Sequence, residues 1–134
     1  MTTSPLPDLL RVARWVAARN PLLLSWILRS MSFALPLNRL RDTPTLLAFH
    51  HPTPAYPVHV LLVPKKPIAT LSDLDPVADS DFLSDLYATV QKLVNQLDLA
   101  EDGYRLIVNG GKYQDFPYLH FHLVSDQVKG PRQP

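Results

Sequence analysis

The sequence predicts an α+β domain: an antiparallel meander sheet of about four to five strands with one long helix, preceded by an N-terminal helical extension. Three observations lead there. Short β-branched or apolar runs fall into two pairs. A single long amphipathic segment separates the pairs. The first third of the chain carries helical rather than strand periodicity. With 134 residues, the chain has room for one core and little more.

The totals exclude several classes of function. Hydrophobic residues make up 46% and charged residues 19%, a globular composition. The net charge of +1 creates no bulk field for nucleic acid. Cysteine is absent, which removes disulfides and thiolate chemistry and fits a reducing, cytoplasmic setting. The basic charge is uneven. Arg11, Arg14, Arg19, Arg29, Arg39 and Arg41 lie in the first third, where Asp8 and Asp42 are the only acids.

Residues 1–7 are polar and proline-bearing, and are expected to be loose. From Asp8 to Arg19 the pattern is helical, with Leu9, Val12, Trp15 and Val16 as its stripe. Asn20-Pro21 ends that helix, because a residue before proline avoids the helical region. Pro21 can open a second helix at its first position, running to about Phe33. This pair is expected to bury Trp15, Leu24, Ile27 and Leu28 against its own domain or a second subunit. A peripheral membrane contact through residues 8–35 is the less favoured alternative. The apolar run is too short and too interrupted for a span.

From Thr43 the character changes. Thr45–His50 and Val58–Pro64 read as strands on either side of a proline loop. Leu71–Leu74 suggests a helical turn. Ser80 is the N-cap candidate for the long helix, whose stripe is Phe82, Leu83, Leu86, Tyr87, Val90, Leu93, Val94 and Leu97. Tyr104–Val108 and Phe116–Ser125 are the last two strands. The expected organisation is residues 1–40 as a helical extension, 41–127 as the domain and 128–134 as a flexible tail.

Strand periodicity then groups the histidines. Residues two apart face the same way, so Tyr118, His120 and His122 share one face and Leu119, Phe121 and Leu123 the other. His59, Leu61 and Val63 share a face in the same manner. If the histidine-bearing faces meet one cleft, three imidazoles converge. Neutral imidazole near pH 7 suits nucleophilic or acid–base work. The same residues also suit a zinc site, or ordinary polar-face histidines.

Four segments carry a family resemblance: Leu46–His50, Val58–Lys66, Gly103–Gly110 and Tyr118–Val124. In order and spacing, from Arg41 to Asp126, they resemble the histidine triad (HIT) domain. Within that family they resemble the branch of small homodimeric nucleotide phosphoramidases. The resemblance implies a nucleotide or nucleotide-like phosphate ester as ligand, a homodimer, and no metal or cofactor. The family motif is His-φ-His-φ-His-φ-φ, with φ apolar. Its middle histidine attacks the α-phosphate, a nucleotidyl-histidine forms, and water releases the nucleoside monophosphate. The resemblance places the nucleophile at His120 and phosphate or leaving-group assistance at His122. It places a supporting hydrogen bond at His59, phosphate contact at Asn109, and the glutamine before the triad at Gln114. Phe49, His51 and Tyr118 fall on substrate-binding positions.

The departures from the pattern are specific. Tyr118 stands where the first triad histidine is usual. His51 stands at the usual ribose-binding aspartate. The Asn109–Gln114 loop is two residues short, and Asp115 follows it where serine is common. A carboxylate facing phosphate would repel it, so Asp115 is expected to point elsewhere, or the loop to be rebuilt. Lys65 and Lys66 read as a solvated strand end. These changes leave a catalytically weak or inactive binding module as the alternative to a hydrolase.

Overall fold

A computed structural model describes residues 5–30 and 37–127. The expected tail at 128–134, and the continuation of the second helix to Phe33, lie outside the described residues.

The chain opens with a helical hairpin, α1 (Pro5–Arg19) and α2 (Pro21–Ser30). Residues 5–7, expected to be loose, form the first turn of α1. The break between the helices is a cap. The side chain of Asn20 accepts the Leu23 N–H at 3.1 Å, and Pro21 follows at a position that needs no donor. Each turn thus satisfies backbone groups that the break would otherwise orphan.

Five strands follow: β1 (Arg39–Asp42), β2 (Leu46–His50), β3 (Val58–Pro64), β4 (Arg105–Val108) and β5 (Phe121–Ser125). All pairings are antiparallel, in the order β1-β2-β3-β5-β4. The first three strands form a meander. The last two depart from it, because β5 takes the place beside β3 and leaves β4 at the edge. The long helix α3 (Ser80–Gln96) makes the crossing between β3 and β4.

Ser80 is the first helical residue rather than the cap, which is Asp79. The Asp79 carboxylate accepts the Asp75 N–H and binds Lys66 Nζ at 2.7 Å. Those bonds hold its pKa below the ordinary carboxylate value, the Lys66 bond most of all. Lys65 is buried and paired with Asp42 of β1. The expected solvated strand end holds for Lys66, whose side chain stays exposed, but not for Lys65; both ammonium groups meet a carboxylate brought in by a neighbouring element.

The sheet separates two apolar layers. On one face Leu46, Ala48, Val58, Val60, Leu62, Phe121 and Leu123 pack against Phe82, Leu86, Val90, Leu93 and Val94 of α3. On the other, Leu47, Phe49, Leu61 and Tyr118 pack against Ala17 and Leu28 of the hairpin, with Leu24 and Val63 at the margin. Burying such side chains contributes roughly 1.5–3 kcal/mol each. Of the four hairpin residues expected to be buried, Leu28 is buried and Leu24 and Ile27 are half-buried, whereas Trp15 is exposed on this chain. Ala17 takes the inward position of α1 because its small side chain lets the helix approach the sheet. Among the described residues no helix is long and apolar enough to cross a membrane.

Candidate functional site

The histidines lie on the sheet face that the hairpin covers. Between hairpin and sheet is a cavity of about 330 Å³. Val12, Arg14, Val16, Leu24 and Leu28 line it from above. Phe49, His51, Leu61, Phe116, Tyr118, His120 and His122 line it from the sheet side. The roof was not legible as part of a site, since nothing in an amphipathic helix says which face of a sheet it will meet.

Register brings the imidazoles together. Leu61 pairs with His122 and His59 with Val124 across β3 and β5, so His59 and His122 are diagonal neighbours on one face. Strand β5 begins only at Phe121, shorter than the expected Phe116–Ser125. The alternation nevertheless continues through Tyr118 and His120, which join the cavity side while Leu119 joins the α3 core.

Backbone groups then set each ring's tautomer. The Ala55 N–H donates to His59 Nδ1 at 3.1 Å, so that nitrogen is an acceptor. A neutral His59 therefore carries its proton on Nε2. Nε2 lies 2.8 Å from His122 Nδ1 and donates to it. His122 in turn carries its proton on Nε2, a buried atom with no protein partner. The result is an N–H donor left over on a ring that lines the cavity.

His120 is set in the opposite sense. Its Nδ1 lies 2.8 Å from the carbonyl of Tyr118. A carbonyl only accepts, so Nδ1 holds a proton, and in the neutral ring the lone pair is on Nε2. That is the tautomer a nitrogen nucleophile requires.

Burial keeps the surrounding rings neutral. His59 and His122 are each pushed down from 6.5 to about 4. Desolvation is the largest cause, followed for His59 by His51 and for His122 by His120. His51 is lowered by burial and then by His120. It stacks on His59 with centroids 4.3 Å apart, and its Nδ1 accepts the Thr53 N–H at 3.0 Å.

The remaining candidates fall in different places. Phe49 and His51 line the cavity. Asn109 follows β4 directly and is half-buried; continuing the Val108–Phe121 register sets it beside His120, but it is not part of the cavity wall. Gln114 does not line the cavity either. Its amide nitrogen donates to the carbonyls of Ala69 and Phe116, which ties the loop to the domain. Asp115 is a correction. It does not point elsewhere: its Oδ1 lies 3.9 Å from His120 Nε2, with the side chain largely in solvent.

Tyr118 is buried, and its hydroxyl is committed to the carbonyls of Pro64 and Lys66, each at 2.9 Å. Ser25 of α2 donates to the carbonyl between them, that of Lys65. Burial raises the phenol to about 12, so it remains a donor at neutral pH. Its ring forms cavity wall, while its hydroxyl helps hold the end of β3 under the hairpin. Among the described residues, no three histidines or carboxylates are spaced to hold a metal ion. His59 and His122 instead bond to each other.

Known proteins resemble this chain in sequence and in fold. The HIT domain model matches residues 34–128. The purine nucleoside phosphoramidase of Escherichia coli is 29% identical over 99 residues, covering 72% of this chain and 82% of that protein. A HIT family hydrolase from Clostridium thermocellum superposes with a TM-score of 0.66 at 31% identity, covering 82% of this chain and 94% of its own. The histidine triad nucleotide-binding protein of Candida albicans gives 0.62 at 28% identity, covering 84% and 82%.

Proposed function

The chain belongs to the HIT domain family, and on that premise we propose that it hydrolyses a P–N or P–O bond at the α-phosphate of a nucleotide derivative. The observation that carries this reading is the His120 bond to the Tyr118 carbonyl, which leaves Nε2 as a lone pair on the cavity side. His120 Nε2 attacks phosphorus while His122 Nε2–H donates a hydrogen bond to the leaving atom, and the departing amine or phosphate takes its proton from solvent water. His59 holds His122 in that donating tautomer. Water then cleaves the phosphorus–nitrogen bond to His120, releasing the nucleoside monophosphate and restoring the ring. Asn109, beside His120 by register, is assigned to the phosphate oxygens. The names of the Escherichia coli and Candida albicans relatives support the substrate class.

The test is His120→Asn, assayed on an adenosine phosphoramidate beside the wild type. Turnover that survives the substitution removes His120 from the role. Pairing of two copies is part of the same reading, supported by the open edge of β4; equilibrium sedimentation at micromolar concentration checks it.

One observation favours a second reading. The Asp115 carboxylate sits near His120 Nε2, where it opposes an incoming phosphate. A module that binds a nucleotide without turning it over would tolerate such a group. Calorimetry with nucleoside monophosphates beside the turnover assay separates the readings: binding without product favours the module.

A further inference from the structure

The hairpin is apolar on two sides. Its inner side is Ala17, Leu24, Ser25 and Leu28, covered by the sheet. Its outer side carries Trp15 on α1, and Leu22, Leu23 and Trp26 on α2, all exposed; Leu22 is 69% and Trp26 50% accessible. On α2 these three recur at the spacing of one helical face, opposite Ser25 and Leu28. Scattered exposed apolar residues need no explanation. Four on two adjoining helices, two of them tryptophan, do.

Charge decides what covers them. Arg19 and Arg29 are exposed on the same two helices, and the Arg19 guanidinium lies 4.7 Å over the Trp15 ring. From Leu9 to Leu40 the sequence contains no acidic residue. A second copy docking by a two-fold axis would set this arginine-bearing face against itself, because such an interface uses one patch twice. An anionic surface meets no such repulsion. Tryptophan is the side chain that settles at the boundary between headgroups and acyl chains, and arginine reaches from there to the headgroups.

We infer that the outer face of the α1–α2 hairpin docks on an anionic lipid bilayer, with Trp15, Leu22, Leu23 and Trp26 in the interface and the arginines among the headgroups. The hairpin lies flat rather than crossing, as its two short helices require. Because its inner side is the roof of the cavity, docking sets the candidate site one helix thickness from the membrane. The inference is independent of the reaction proposed above.

Flotation of the full chain with lipid vesicles tests it. The expected result is recovery with vesicles of phosphatidylcholine containing roughly one third phosphatidylglycerol, little recovery with phosphatidylcholine alone, and a blue shift of tryptophan emission on binding. The double substitution Leu22→Glu, Trp26→Glu touches only exposed side chains. It is expected to weaken partitioning at least about tenfold with an unchanged thermal melt. Arg19→Glu with Arg29→Glu should do the same and leave the fold intact. Absence of flotation, equal flotation with neutral vesicles, or full flotation of either double variant overturns the inference. A lipid-free dimer that the Leu22, Trp26 variant abolishes also overturns it, since a second copy would then cover the face.

Discussion

His120 is oriented by the main chain of Tyr118, through a 2.8 Å hydrogen bond from Nδ1 to the carbonyl. The bond does not depend on which side chain stands at position 118. A tyrosine in place of a histidine there therefore leaves the proton on His120 Nδ1. Tyr118→Phe should keep turnover near the wild-type value while lowering stability by about 1–3 kcal/mol, the range for losing a buried donor's partners. Urea denaturation beside a turnover assay checks both halves. A large loss of turnover without a loss of stability would mean that the phenol meets the substrate.

His122→Ala should behave in the reverse way. It removes the N–H left over beside the cavity, so kcat should fall roughly 10²–10³-fold, the usual contribution of one hydrogen-bond donor aimed at developing charge. Binding of a nucleoside monophosphate should change far less. Single-turnover kinetics with a poor and a good leaving group measure the effect, which should be smaller for the good one.

Acid should destabilise the protein over a defined interval. In the unfolded chain His59 and His122 take up protons near 6.5, whereas in the folded chain they do so only near 4. Between those values the unfolded state binds more protons, so stability falls as pH drops and rises as pH increases. Above about 6.5 these two groups contribute no slope. Thermal melts from pH 7 to 4 should show the decline, and His59→Gln should flatten it.

Asp115→Asn should tighten phosphate binding. Two charges about 4 Å apart in water interact by about 1 kcal/mol, and this carboxylate is largely solvated, so the gain should be several-fold at most. Calorimetry with a nucleoside monophosphate at two salt concentrations checks the sign, because the gain should shrink as salt rises.

The parts of this fold that were readable in advance are those that repeat. Alternation placed His59, Leu61 and Val63 on one face and Val58, Val60 and Leu62 on the other. The helical stripe from Phe82 to Leu97 announced α3, although Tyr87 turned out exposed. What was not readable depends on partners distant in sequence. Strand β1 is Arg-Leu-Arg-Asp, charged and four residues long; only pairing with β2 makes it a strand. Gln114 looks like a ligand contact until Ala69 arrives from 45 residues away to accept its amide. Lys65 looks solvated until Asp42 is set beside it. The imidazole cluster was legible as residues, but its directions of proton donation were not. Those come from Ala55 and Tyr118 main-chain groups, which have no signature in side-chain identity.

The carbonyl of Tyr118 has a consequence for how such chains are recognised. Where a peptide oxygen performs a duty, the side chain above it is released to drift and to be recruited elsewhere. Here it has become a rivet, with Ser25, between an added roof and the end of a strand. A motif search that insists on three histidines would pass over this arrangement. A geometric query for an imidazole Nδ1 seated on the peptide oxygen two residues earlier would retain it.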